Sequence, residues 1–186
     1  MDDFSFYLSY YGLILGLSVA QVASGFLNAI GARHQVKIGW LTPALATFIF
    51  LDITSFWILA WAIRESITIS WGTMYLGLLI ALLYFGASGL IFPRNVDEWP
   101  DLEAYYWKHK RLVIGGILIA NLISFTQATI HHPPKVDLTY LFAQGTYWPA
   151  VILLLVSRRK WQDLALLGVL DFGYVVNAFI PNWALS

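Results

Sequence analysis

The chain has 186 residues, 59% of them hydrophobic and 12% charged, with equal numbers of acidic and basic side chains and no cysteine. A soluble domain averages about 45–50% apolar and about 25% charged residues, so lipid is the expected solvent for most of this surface. Zero net charge gives no long-range attraction to nucleic acid, and the lack of thiols excludes disulfides, cysteine nucleophiles and cysteine metal centres.

Six apolar stretches are expected to form transmembrane helices, at about 6–30, 40–63, 71–92, 112–130, 138–156 and 164–180. Each approaches the roughly 20 residues that cross a hydrocarbon core about 30 Å thick. None alternates polar with apolar as a barrel strand does, and a spanning backbone must satisfy its own hydrogen bonds, which makes them helices. Together they would take up about two-thirds of the chain, so the expected fold class is all-α, one polytopic bundle of six helices over 1–186.

The first stretch follows an acidic start, Met1-Asp2-Asp3, without the basic region and cleavage site of a signal peptide, and is expected to be retained. It carries Ser18, Gln21, Ser24, Gly25 and Asn28 at helical spacing, a polar stripe expected to face inward. The second has Asp52 near its middle, with Thr54 and Ser55 beside it. The third holds Gly77 and Ala81, small residues that allow close helix contact.

Between the third and fourth stretches, Pro100-Asp-Leu-Glu-Ala-Tyr-Tyr-Trp-Lys-His-Lys-Arg reads as a short amphipathic helix on the cytoplasmic surface. Proline, then acids, then bases is the order a helix favours. Tyr105, Tyr106, Trp107 and His109 would be its interface with the membrane or a partner; a plain solvated connector fits equally well. The fourth stretch contributes Asn121, Ser124 and Gln127. The following outer loop contains His131, His132 and Asp137, candidates for a pH-sensing mouth or a weak metal site, although adjacent histidines chelate poorly and a polar loop ended by prolines explains them best. Gly145 and Pro149 suggest an irregular fifth helix. The sixth carries Asp171 near its middle, with Gly168, Tyr174 and Asn177.

Nine of the eleven Lys and Arg residues fall in loops 31–39, 93–111 and 157–163. The positive-inside rule puts those loops in the cytoplasm and both termini on the periplasmic or outer side. Trp40, Trp71, Trp99, Trp107, Trp148, Trp161 and Trp183 stand near expected helix ends, as an interfacial belt requires.

An ionisable side chain in mid-membrane costs at least about 2.5–3.5 kcal/mol and is a functional candidate for that reason. Asp52 and Asp171 have no cation at comparable depth. They are read as bearers of a proton or ion, with Gln21, Asn28, Asn121 and Tyr174 lining the path; the competing reading makes them hydrogen-bonded fasteners between helices. No nucleotide-binding loop, serine elbow or zinc-protease motif occurs, and no histidine lies where a membrane haem would need one, so neither an enzyme nor a cofactor is expected.

Two segments, Ala32-Arg-His-Gln-Val-Lys-Ile-Gly-Trp40 and Phe92-Pro-Arg followed by acids and Tyr105-Tyr106-Trp-Lys-His109-Lys-Arg111, resemble a widespread group of six-helix bacterial inner-membrane proteins of unassigned activity. The resemblance covers the chain up to the fourth helix. It implies the fold and an inner-membrane location, and no residue role. The expectation is a small channel or transporter for protons, cations or a small polar solute, homo-oligomeric among membrane lipids. The alternatives are a non-transporting scaffold, sensor or accessory subunit, docking through 99–111, and a protein that binds lipid or pigment in an aromatic groove.

Overall fold

The computed structural model describes residues 2–131 and 133–179, with the backbone alone at 97 and 131. Six α-helices follow one another: α1 Asp3–Gly31, α2 Leu41–Ala62, α3 Trp71–Gly89, α4 Leu102–His131, α5 Leu138–Val156 and α6 Lys160–Phe179. Helices α1 to α5 are long and apolar enough to cross a membrane. At 20 residues α6 has the length, but it opens on Lys160 and Asp163 and carries Asp171. The N-termini are set by local chemistry. Asp2, Ser70 and Asp137 each accept a hydrogen bond from the backbone N–H three residues on, at Ser5, Thr73 and Tyr140. Such caps satisfy donors that a helix start leaves without intrahelical partners. Asp137 therefore gives one oxygen, Oδ1, to the cap of α5.

Two expectations are corrected here. The separate amphipathic helix before the fourth span does not exist: α4 runs unbroken from Leu102 to His131. No Gly or Pro occurs between Leu102 and Ile114 to stop it, so the change in polarity at Leu112 is not a break in the backbone. At 30 residues α4 is about 45 Å long, well over the core thickness of about 30 Å. The sixth helix likewise starts at Lys160, shortening the expected 157–163 loop to residues 157–159.

Helix neighbours form a closed ring in the order α1, α3, α4, α5, α6, α2, and α2 also touches α4 across the middle. On α2 the buried residues Leu41, Leu45, Phe48, Asp52, Phe56 and Ala60 recur at helical spacing, one stripe turned to the ring's interior. Much of the outside is apolar: Leu13, Leu17 and Leu27 on α1, Leu138 and Phe142 on α5, and Phe172 on α6 are exposed. An apolar exterior on this scale is what a lipid-facing surface requires.

The two ends of the bundle are sewn differently. At the end rich in basic residues, the α1–α2 connection pairs with the start of α4, through Lys37 N–H to the Pro100 carbonyl (2.9 Å) and Leu102 N–H to the Lys37 carbonyl (3.0 Å). Glu103 accepts from Trp40 N–H at 3.2 Å and pairs with Lys160 of α6 at 2.7 Å. Thr42 Oγ1 donates to the Leu102 carbonyl at 3.1 Å. At the other end, Ile69 N–H donates to Asp3 at 3.2 Å. Gly39 makes the basic-end junction possible: its φ of +68° is left-handed, and a Cβ there would lie 2.4 Å from Glu103 Cγ. Gly39→Ala is expected to lower unfolding stability by about 1–2 kcal/mol, since it adds left-handed strain to a displaced Glu103. Thermal denaturation in detergent micelles measures this, and an unchanged midpoint would contradict it.

Candidate functional site

Asp52 lies on the inward stripe of α2 and is fully buried. Burying an ionised group without partners is prohibitive, so its surroundings are decisive. One carboxylate oxygen, Oδ2, accepts from Tyr84 Oη of α3 and from Asn121 Nδ2 of α4, the latter at 3.0 Å. The other, Oδ1, accepts from Tyr174 Oη of α6 and from Tyr147 Oη of α5, the latter at 3.1 Å. A carboxylate has about four acceptor positions, and all four are filled from four different helices. Asn121 Nδ2 also reaches Tyr84 Oη at 2.8 Å and the Ile117 carbonyl at 3.1 Å. Phe56 and Phe48 wall the cluster, edge-on to Tyr84 and tilted against Tyr174.

Each helix delivers its donor by the same periodic logic. Tyr84 continues the buried run Gly77, Ile80, Ala81 and Ala87 on α3. Tyr147 lies about one turn before Ala150, Val151 and Leu154 on α5. Tyr174 is one turn beyond Leu170 on α6. Asn121 follows Ile114, Ile117 and Ala120 on α4. The inward stripes of α2 to α6 thus meet at one depth.

A second buried polar cluster lies at the basic end. Lys110 and Asp163 form an ion pair at 2.6 Å with both side chains essentially inaccessible. Lys110 Nζ also donates to the Ser157 carbonyl at 2.9 Å and to Ser157 Oγ at 3.1 Å. Asp163 accepts in addition from Tyr106 Oη at 2.7 Å and from Ser157 Oγ. The ammonium stands 4.7 Å from the centre of the Trp107 ring. This cluster ties α4 to the α5–α6 turn.

The residues expected to line a path separate into two groups. Asn121 and Tyr174 join Asp52 directly. Asp171 does not: it is half-buried, and its Oδ1 has no hydrogen-bond partner. Gln21 is also outside the cluster, its buried Oε1 unpartnered beside Gly89 of α3. Asn28 is exposed and sits in a shallow cleft with Arg94 and Asn95, so it lines no interior path. The polar stripe of α1 drifts off the inward face: Ser18 is buried whereas Ser24 and Asn28 are exposed. His132 lies outside the described residues, as do Trp183 and the side chain of His131.

The aromatic interface is corrected as well. Tyr105 and Tyr106 are buried, Tyr106 against Asp163, and Tyr105 between Trp99, which it meets edge-on, and His109, against which it is tilted. His109 Nδ1 lies 3.0 Å from the Tyr105 carbonyl. Tyr105 and Tyr106 thus pack within the chain, while Trp107 and His109 stay half-buried. Sequence reasoning missed Tyr84, Tyr147, Lys110 and Asp163. The inward spacing of Tyr84 and Tyr147 was available as a signal. For Lys110 and Asp163 there was none, because Lys110 belongs to the segment expected as a surface amphipathic helix or connector and Asp163 to the expected 157–163 loop.

No protein-family model matches this chain, and no curated protein or solved structure matches it significantly.

Breaking a buried ion pair strands a charge and costs about 3–5 kcal/mol, whereas replacing both partners by apolar groups can be nearly neutral. Lys110→Met is therefore expected to destabilise by about 3–5 kcal/mol, and Lys110→Met with Asp163→Leu to recover a large part of that loss. Chemical denaturation in micelles measures both; a double variant as unstable as the single one would contradict the pairing.

Proposed function

We propose that this chain is an integral membrane protein crossing the bilayer six times, and that it moves protons through the Asp52 cluster. The observation that carries the reading is the convergence of three tyrosine hydroxyls and one amide on a single carboxylate with no cation beside it among the described residues. A hydroxyl both donates and accepts, so a tyrosine touching a carboxylate can hand on a proton by rotating its O–H. That needs no open cavity. A larger solute would have to displace protein donors from Asp52, so of the cargoes considered the proton suits the geometry best.

The sixth crossing is supported by the place of α6 between α2 and α5 and by Tyr174, which meets Asp52 from it. Basic residues gathered at one end support a cytoplasmic location for that end and outer-side termini. The resemblance of segments 32–40 and 92–111 to six-helix inner-membrane proteins agrees. Asp171 lies about one turn nearer the basic end than Tyr174 and is the natural second station on that side. The uncovered apolar faces suit lipid or a second copy of the chain.

One observation favours a second reading. The acceptor positions of Asp52 are filled by its own chain, which is also how a static fastener for five helices would look. Proteoliposomes carrying a pH-sensitive dye separate the two. Wild-type protein should collapse an imposed pH gradient, and Asp52→Asn should fall to the leak of protein-free vesicles. Tyr174→Phe leaves three donors in place and should slow the flux while keeping full helicity. Unaltered flux in both variants, or none in the wild type, would sink proton transfer and leave the fastener.

A further inference from the structure

A cavity of about 400 Å³ opens at the basic end, lined by Trp107, Lys108, Lys110, Arg111, Ser157 and Arg158. Its charge is one-sided. Lys110 is neutralised by Asp163, but Arg111 and Arg158 are exposed and form no ion pair among the described residues. Lys108 is exposed too, its ammonium 5.0 Å from the centre of the Trp99 ring. Three cations without an acidic partner among the described residues thus line a concave site that also holds the closed, hydrogen-bonded Lys110–Asp163 pair. Like charges lining one site repel, and an anion that joins them relieves that repulsion.

The site lies where headgroup chemistry changes to acyl-chain chemistry. The next residue inward along α4 is Leu112 and along α5 is Val156, and both are uncovered by protein. Trp161 also stands exposed at the start of α6, as an interfacial anchor does. A ligand that places a phosphate on the cations and lays apolar chains over Leu112 and Val156 would satisfy both halves. We propose that this notch between α4 and the α5–α6 turn binds the headgroup of an anionic phospholipid. Basic pockets at the cytoplasmic side of membrane helices suit this class of ligand. The buried ion pair contributes as well: Lys110–Asp163 and Ser157 hold α4 at a fixed distance from the turn, so Arg111 and Arg158 face the phosphate from two elements at once. Arginine forks suit phosphate oxygens better than point charges do.

This inference rests on the membrane reading, but not on proton transfer. It is tested on the full chain, purified in mild detergent, by native mass spectrometry with added phosphatidylglycerol, phosphatidylcholine or inorganic phosphate. Wild-type protein should retain phosphatidylglycerol in clear preference to phosphatidylcholine. Each basic residue near a membrane surface is worth about 1 kcal/mol, so Arg111→Gln with Arg158→Gln should weaken that retention about 30-fold. Asp52→Asn should leave it unchanged, which keeps a failure of the proton reading apart from a failure here. Carbonate extraction of the same membranes checks embedding separately. Equal retention of the two lipids, no loss in the arginine variant, or full displacement by millimolar inorganic phosphate would each overturn the proposal, the last by identifying free phosphate as the ligand.

Discussion

A carboxylate enclosed by apolar helices must be given as many donors as it has acceptor positions, and in this bundle that requirement organises everything else. Helix α2 does not supply those donors to Asp52 itself: Phe48, Ile49 and Phe56 one turn away are apolar, and the hydroxyls of Thr54 and Ser55 donate to backbone carbonyls of Phe50 and Asp52. The donors come instead from α3, α4, α5 and α6. Each helix is thereby fixed in rotation and in depth. A tyrosine hydroxyl has a narrow range of positions within hydrogen-bonding reach, whereas leucine packing against leucine tolerates sliding. In lipid this matters more than in water, since burial of apolar surface does little to drive one spanning helix against another. Polar geometry supplies the register that hydrophobicity leaves open.

The same device is repeated at the basic end with different chemistry. There the buried group is an ion pair, and the remaining protons of Lys110 are taken up by Ser157. A buried pair of this kind gives uncertain net stability but defines geometry sharply. The two clusters hold overlapping sets of helices: one binds α2 to α6 at mid-depth, the other locks α4 to the α5–α6 turn. Helix α1 belongs to neither. It leans on α3 and α2 by small residues and aromatic contacts, such as Gly77 of α3 against Tyr7 and Gly12 against Trp57 of α2, and Gly25 meets Phe92 of the α3–α4 connection. The ring is therefore five helices pinned by polar groups, with a sixth held by packing.

Under the proposed proton transfer, function and scaffold coincide in this arrangement. A proton on Asp52 would change one of its oxygens from acceptor to donor, so at least one tyrosine contact must turn over. The group that sets helix register is then also the group whose occupancy the helices report. A bundle with an all-apolar core has no such lever. The lipid notch adds a link to the surroundings, because it holds the Lys110–Asp163 pair and its walls are the ends of the helices that carry Asn121 and Tyr147.

The sequence alone determined the helical class, the approximate places of the helices and the segregation of basic residues, because hydropathy and charge are local properties that lipid reads directly. It also exposed Asp52, since an acid in an apolar run is costly wherever the run lies. Asn121 and Tyr174 were legible as polar residues on inward faces. What only the tertiary structure decided was partnership. Tyr84 and Tyr147 looked like two aromatics among many until four helices brought them to one carboxylate. Lys110 and Asp163 read as surface charges because polarity changes near Leu112 and Leu164, whereas α4 begins at Leu102 and α6 at Lys160, which brings both side chains under cover. Asn28 went the other way, from inward stripe to open cleft, since a spacing of three residues drifts round a helix by about 60° per step. Composition and spacing show which residues are expensive to bury, and the packing of distant helices shows which of them are buried together.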